Sequence, residues 1–155
     1  MASELKVDTV SEKTTGNGVT IDSVTLKDGA VVGAALTDYV ETDVALTSTS
    51  GVIAIDLANG NTGSITLSEN ITDIDFTNVP TNGTSSFTLK VTQDGTGSRT
   101  MAINAITVNG GGNVTGLTPG AAGLTLSTGA ADIDLVSFLF FDAGTPLINS
   151  LLDFS

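Results

Sequence analysis

The chain has 155 residues and a formal charge of -12, from 17 acidic residues against 5 basic ones, with no histidine and no cysteine. Nucleic-acid affinity is assembled mainly from Lys and Arg contacts that release counterions, so this balance argues against DNA or RNA as a partner. Without cysteine there is neither a disulfide nor a thiolate metal site, and without His or Cys the usual nucleophile and base pairs of catalysis are missing.

No stretch approaches the ~20 apolar residues of a membrane span, and Met1-Ala-Ser-Glu-Leu-Lys lacks a basic segment followed by an apolar one. Soluble, cytoplasmic synthesis is expected. The length suits one globular domain plus an extension.

Residues 1–29 contain short apolar alternations, Leu5 with Val7, Val19 with Ile21, and Val24 with Leu26, broken by Thr14-Thr-Gly-Asn-Gly18 and Lys27-Asp-Gly29. This is too little apolar surface for an independent core, since an isolated hairpin is marginal in water. The segment reads as an extended N-terminal β arm of two or three strands, ordered by strand addition to another chain. Residues 30–43 read as a connector, with a short helix left open because Gly33 weakens a helix without forbidding it.

From residue 44 to 155 the pattern is all-β. Ile53 and Ile55, Ile65 and Leu67, Ile74 and Phe76, and Phe87, Leu89 and Val91 each recur at period two, and clusters of Gly, Asn, Asp and Ser fill the gaps. Such runs are the signature of antiparallel strands in a sandwich or barrel, with one wet face on each strand, and an antiparallel β-sandwich, jelly-roll-like, is the expected fold. The turn Gln93-Asp94-Gly95-Thr96-Gly97-Ser98 predicts a hairpin from Ser86 to Asn104, because Asp-Gly supplies the positive φ that tight hairpins demand. Residues 109–123 are the most glycine-dense part of the chain and read as a long loop in contact with a neighbour. In Asp132-Ile-Asp-Leu-Val-Ser-Phe-Leu-Phe-Phe141 alternation fails, which leaves either a central strand covered on both sides or a face that meets another subunit. On the second reading Phe138 and Phe140 make the subunit contact.

The carboxylate pairs Asp73/Asp75 and Asp132/Asp134 have the spacing of a shared strand face. They are weighed as acid–base or calcium groups and assigned instead to wet strand faces, where alternating Asp discourages edge-to-edge aggregation. No catalytic, cofactor-binding or metal-binding residues are assigned. Asn70-Ile-Thr72, Asn82-Gly-Thr84 and Asn113-Val-Thr115 match the glycosylation pattern, as a Thr- and Asn-rich chain does by chance.

Asp56-Leu-Ala-Asn-Gly-Asn, Ile65-Thr-Leu-Ser-Glu-Asn-Ile-Thr and Phe87-Thr-Leu-Lys-Val-Thr-Gln-Asp-Gly-Thr-Gly-Ser-Arg-Thr100 resemble a β-sandwich domain that recurs in virion proteins of tailed bacteriophages, in both capsid-associated proteins and tail fibres. Glu4-Leu-Lys-Val-Asp-Thr-Val-Ser-Glu and residues 16–29 resemble a short segment near the N-termini of phage structural proteins. The resemblance implies a non-enzymatic virion protein made in the host cytoplasm. The favoured role is a capsid decoration or cement protein on the outer shell, partnered by the major capsid protein. The alternative is a small tail-fibre or head-fibre component, partnered by a tail or portal-associated protein. A homotrimer is the oligomer the resemblance implies. A free carbohydrate-binding or hydrolytic module stands behind both. The closing segment departs from the family pattern, since it lacks the tryptophan and tyrosine usual there.

Overall fold

The computed structural model describes residues 39–154 and, before them, three short strands. The chain divides into two compact units, Met1–Val40 and Glu41–Ser155.

In the first unit β1 (Val19–Ile21), β2 (Val24–Lys27) and β3 (Ala30–Val32) form one antiparallel sheet in the order β1-β2-β3. The register sets Val19 opposite Leu26, Ile21 opposite Val24, and Leu26 opposite Val31. The third strand begins at Ala30, within the stretch read above as a connector.

The second unit is all-β, with nine strands: β4 (Asp43–Ala45), β5 (Ser48–Thr49), β6 (Val52–Asp56), β7 (Thr62–Leu67), β8 (Asp73–Thr77), β9 (Thr84–Gln93), β10 (Ile106–Val108), β11 (Ile133–Phe141) and β12 (Leu147–Leu151). They build a four-stranded sheet, β10-β8-β6-β5, and a five-stranded sheet, β12-β11-β9-β7-β4. The expected all-antiparallel arrangement is not what forms. Strands β4, β7 and β9 run parallel to one another, as do β6, β8 and β10, and only the β5/β6, β9/β11 and β11/β12 pairs are antiparallel.

The cause lies in the order of crossings. After β4 the chain enters the four-stranded sheet as β5 and β6, returns as β7, crosses again as β8, returns as β9 and crosses once more as β10. Parallel neighbours need a long crossover connection, usually a helix. Here each strand of one sheet serves as the crossover for the other, so the middle of the chain winds as a coil of strands. The antiparallel β11 and β12 then finish the larger sheet. Alternation cannot distinguish the two arrangements, because a strand over a shared core shows the same period of two whichever way its neighbour runs.

Where alternation does speak, it holds. Ile53 and Ile55 of β6, Ile74 and Phe76 of β8, and Phe87, Leu89 and Val91 of β9 all point into one core. The two sheets meet there through aromatic rings: Phe76 of the smaller sheet lies 6.2 Å from Phe87, 5.0 Å from Phe138 and 4.9 Å from Phe140 of the larger one, tilted or edge-on in each case. Edge-on rings at these separations are favoured by their quadrupoles.

The predicted hairpin from Ser86 to Asn104 does not form. Strand β9 pairs with β7 on one side and β11 on the other, while Met101 bridges in parallel to Ile71. The turn chemistry at Asp94 is real, since its Oδ1 accepts from the backbone N–H of Thr96 and Gly97, each at 2.9 Å. Its direction is set by the neighbouring chain. Gly97 has φ +73°, and a Cβ there would stand 2.4 Å from the carbonyl oxygen of Thr128. Only glycine lets the turn lie against that backbone.

The glycine-dense loop is fastened to its own body. The Asn109 side chain accepts from Val79 N–H and donates to Val79 C=O, Val114 bridges to Ile106, and Leu117 bridges to Leu147. At Gly116 a Cβ would stand 2.2 Å from Cδ1 of Ile148, so the close approach of the loop to β12 depends on glycine.

Candidate assembly surface

The residues proposed for assembly fall in three places. Leu5 and Val7 lie outside the described residues. Val19, Ile21, Val24 and Leu26 occupy β1 and β2, at directly opposed positions. Phe138 and Phe140 are 0% exposed and sit in the core against Phe76, so they are not a subunit contact.

The error has one physical source, Asp134. A carboxylate is expected on the wet face, and an outward Asp134 carries Val136, Phe138 and Phe140 outward with it, because all four share a parity. The structure turns Asp134 inward, to 1% exposure. Its oxygens accept from Ser127 N–H at 2.8 Å, Ser127 Oγ at 2.7 Å and Asp153 N–H at 3.0 Å. Beside it the buried Gln93 donates from its amide to the carbonyls of Arg99 and Ser127 and accepts from Arg99 N–H. Buried polar groups persist when partnered in this way. Together they fasten the loop before β11 and the end of the chain to the body.

With Phe138 and Phe140 inside, the other parity of β11 faces out: Leu135, Ser137, Leu139 and Phe141. In the β12 register Leu139 stands opposite Leu147 and Leu135 opposite Leu151, and Leu117 lies along the far side of Leu147. The result is an apolar strip, with Leu117 55%, Phe141 54% and Leu151 58% exposed. A shallow groove of about 500 Å³ runs along it, walled by Leu117, Pro119, Leu139 and Leu147. Toward β7 and β4 the same sheet face turns polar, with Thr66, Thr88, Lys90 and Thr92 among its residues. Of the outward positions on these five strands, only Lys90 and Asp43 are ionisable. Asp43 accepts a hydrogen bond from Ser64 Oγ at 3.0 Å.

Of the carboxylate pairs singled out in the sequence, Asp73 keeps one oxygen buried with no hydrogen-bond partner, while Asp75 and Asp132 serve local order. Asp75 accepts from Thr107 Oγ1, and Asp132 accepts from Gly129 N–H. Among the described residues no group of three or more His, Cys, Asp or Glu is placed to hold a metal ion, and no helix is long and apolar enough to cross a membrane. Asp94 takes Arg99 Nε at 2.9 Å and Nη2 at 2.6 Å on one oxygen, and this hydrogen bonding, helped by the turn N–H groups and opposed by desolvation, holds its carboxyl below the ordinary 3.8.

A depressed folded-state pKa contributes stability that is present above the unfolded value and fades as pH falls through the folded one. Asp94→Asn keeps an acceptor for the turn and removes the charge. Its deficit in thermal stability relative to the parent is therefore expected at neutral pH and shrinks below about pH 4. Melting curves from pH 7 to pH 3 check this.

Compared with protein-family models, curated proteins and solved structures, the chain matches none.

Proposed function

We propose that this chain is a non-enzymatic virion structural protein, most consistent with a capsid decoration or cement protein on the outer shell. The observation that carries the reading is the division of labour along the chain. A three-stranded sheet of very short strands in Met1–Val40 is separate from a body in Glu41–Ser155 that holds its own core. Residues 1–29, whose sequence offers only short apolar alternations, are suited to strand pairing with a partner, and a self-sufficient two-sheet body, read here as the β-sandwich of the phage proteins, is suited to sit on a surface. The resemblance of residues 4–12 and 16–29, and of the segments 56–61, 65–72 and 87–100, to phage structural proteins supports the same reading. The major capsid protein is the partner it implies, and a homotrimer the oligomer. The acidity fits the solvent side of a DNA-filled shell better than its inner wall.

One observation favours the tail-fibre or head-fibre alternative. Exposed aromatic rings are what a glycan stacks on, and Phe141 and Phe154 join Tyr39 at the surface.

The test is co-sedimentation of the full-length protein with undecorated shells, followed by heating of the particles. A cement protein saturates at hundreds of copies per shell and raises the disruption temperature. Binding at a few copies, or to host cells and not to shells, places it in the tail or a fibre.

A further inference from the structure

We infer that the outer face of β11 and β12 is a self-association surface, covered by a second copy of this chain. Three observations carry this, and none depends on the virion reading.

The first is area. The exposed parts of Leu117, Phe141, Leu147 and Leu151, with the half-buried Leu135 and Leu139, leave on the order of 400 Å² of contiguous apolar surface, the size at which a patch on a monomer commonly serves binding. It is also the size of the apolar centre of an interface burying about 800 Å² per partner.

The second is charge. Two copies of a -12 chain repel one another wherever their acidic surfaces meet. Of the outward positions within the five strands the only ionisable ones are Lys90 and Asp43, and neither belongs to β11 or β12. None of the outward side chains of β11 and β12 is ionisable, so the centre of a contact through the strip buries no unpaired ion.

The third is shape. One face presents both a groove, between Leu117 with Pro119 and Leu139 with Leu147, and protruding side chains, Phe141 and Leu151, at either end of it. A patch that carries knob and hole together complements itself, which is the requirement for a contact that closes by symmetry. At each contact, Phe141 or Leu151 of one copy fills the groove of the next.

The absence of native cysteine makes the test direct. The full-length protein is examined by sedimentation velocity at increasing concentration, beside the double variant Leu147→Lys, Leu151→Lys. In parallel, Leu147→Cys and, as a control on the outer side of the other sheet, Ala54→Cys are treated with a short bis-maleimide. The expected result is an oligomer for the parent, a folded monomer with unchanged circular dichroism for the double lysine variant, and covalent dimers from Leu147→Cys but not from Ala54→Cys. A parent that stays monomeric at high micromolar concentration overturns the proposal. So does an oligomer that survives the lysine pair and is not captured through Cys at position 147.

Discussion

Replacing Phe76 by alanine lowers the stability of the Glu41–Ser155 body by about 3–5 kcal/mol, the range for removing a buried aromatic ring and leaving its cavity. The ring is fully buried in the smaller sheet and touches Phe87, Phe138 and Phe140 of the larger one, so its loss opens a void where the two sheets meet. Neighbouring strands on both sides of β8 are tied into the ladder, which limits how far the site can collapse. Urea unfolding should show a lower midpoint with an unchanged slope. A loss below about 1 kcal/mol would mean that the sheets do not share this core. Phe140→Ala belongs to the same class: it is expected to weaken folding and not association between intact copies.

The second large effect is at Asp134. In Asp134→Ala the N–H and Oγ of Ser127 and the N–H of Asp153 lose the acceptor that the buried carboxylate gives them. Hydrogen bonds to a carboxylate contribute about 1.5–3 kcal/mol each, and half-buried Ser127 and exposed Asp153 recover part of this from water, so a net loss of about 2–3 kcal/mol is expected. Asp134→Asn keeps one acceptor oxygen and should lose less. Hydrogen exchange separates local from global change, since the amides of Ser127 and Asp153 should lose protection first. If alanine at 134 leaves stability and both amides unchanged, the inward orientation of this carboxylate is wrong, and with it the parity assigned to β11.

That parity marks the boundary of what could be read from the residues. Ile53, Ile55, Phe87, Leu89 and Val91 declare their faces through alternation, since each polar neighbour is content in water. In β11 large apolar residues stand on both faces, and the deciding residue, Asp134, goes in only because Ser127 and Asp153 reach it from elsewhere in the chain. No local pattern contains that information. Residue type alone points to Phe138 and Phe140 as the exposed pair, whereas the outward parity is that of Leu139 and Phe141.

Strand direction was hidden for a related reason. Asp94-Gly95 announces a turn, and a turn forms, but the segment after it passes to Ile71 and not back along β9, because β7 and β11 already occupy both edges of that strand. Turn propensity fixes where a chain bends, and competition for sheet edges fixes where it goes. Buried Gln93 and the Asp94–Arg99 pair likewise had no signal beyond their residue types; both arise where that turn is tied down. The glycine at 116 signalled a loop, while its function in bringing the chain against Ile148 depends on a residue 32 positions later.

The central claim is that the chain attaches through its N-terminal unit and presents a self-sufficient body. Its most direct test is a competition on undecorated shells between the full-length protein and residues 41–155, both labelled and counted per particle, with folding of the shorter chain verified by its urea transition. The account predicts that residues 41–155 fold with the stability of the parent body and neither bind shells nor displace the full-length protein. Saturable binding of the shorter chain, at the same copy number and with the same rise in disruption temperature, would contradict it and put the attachment site in the body.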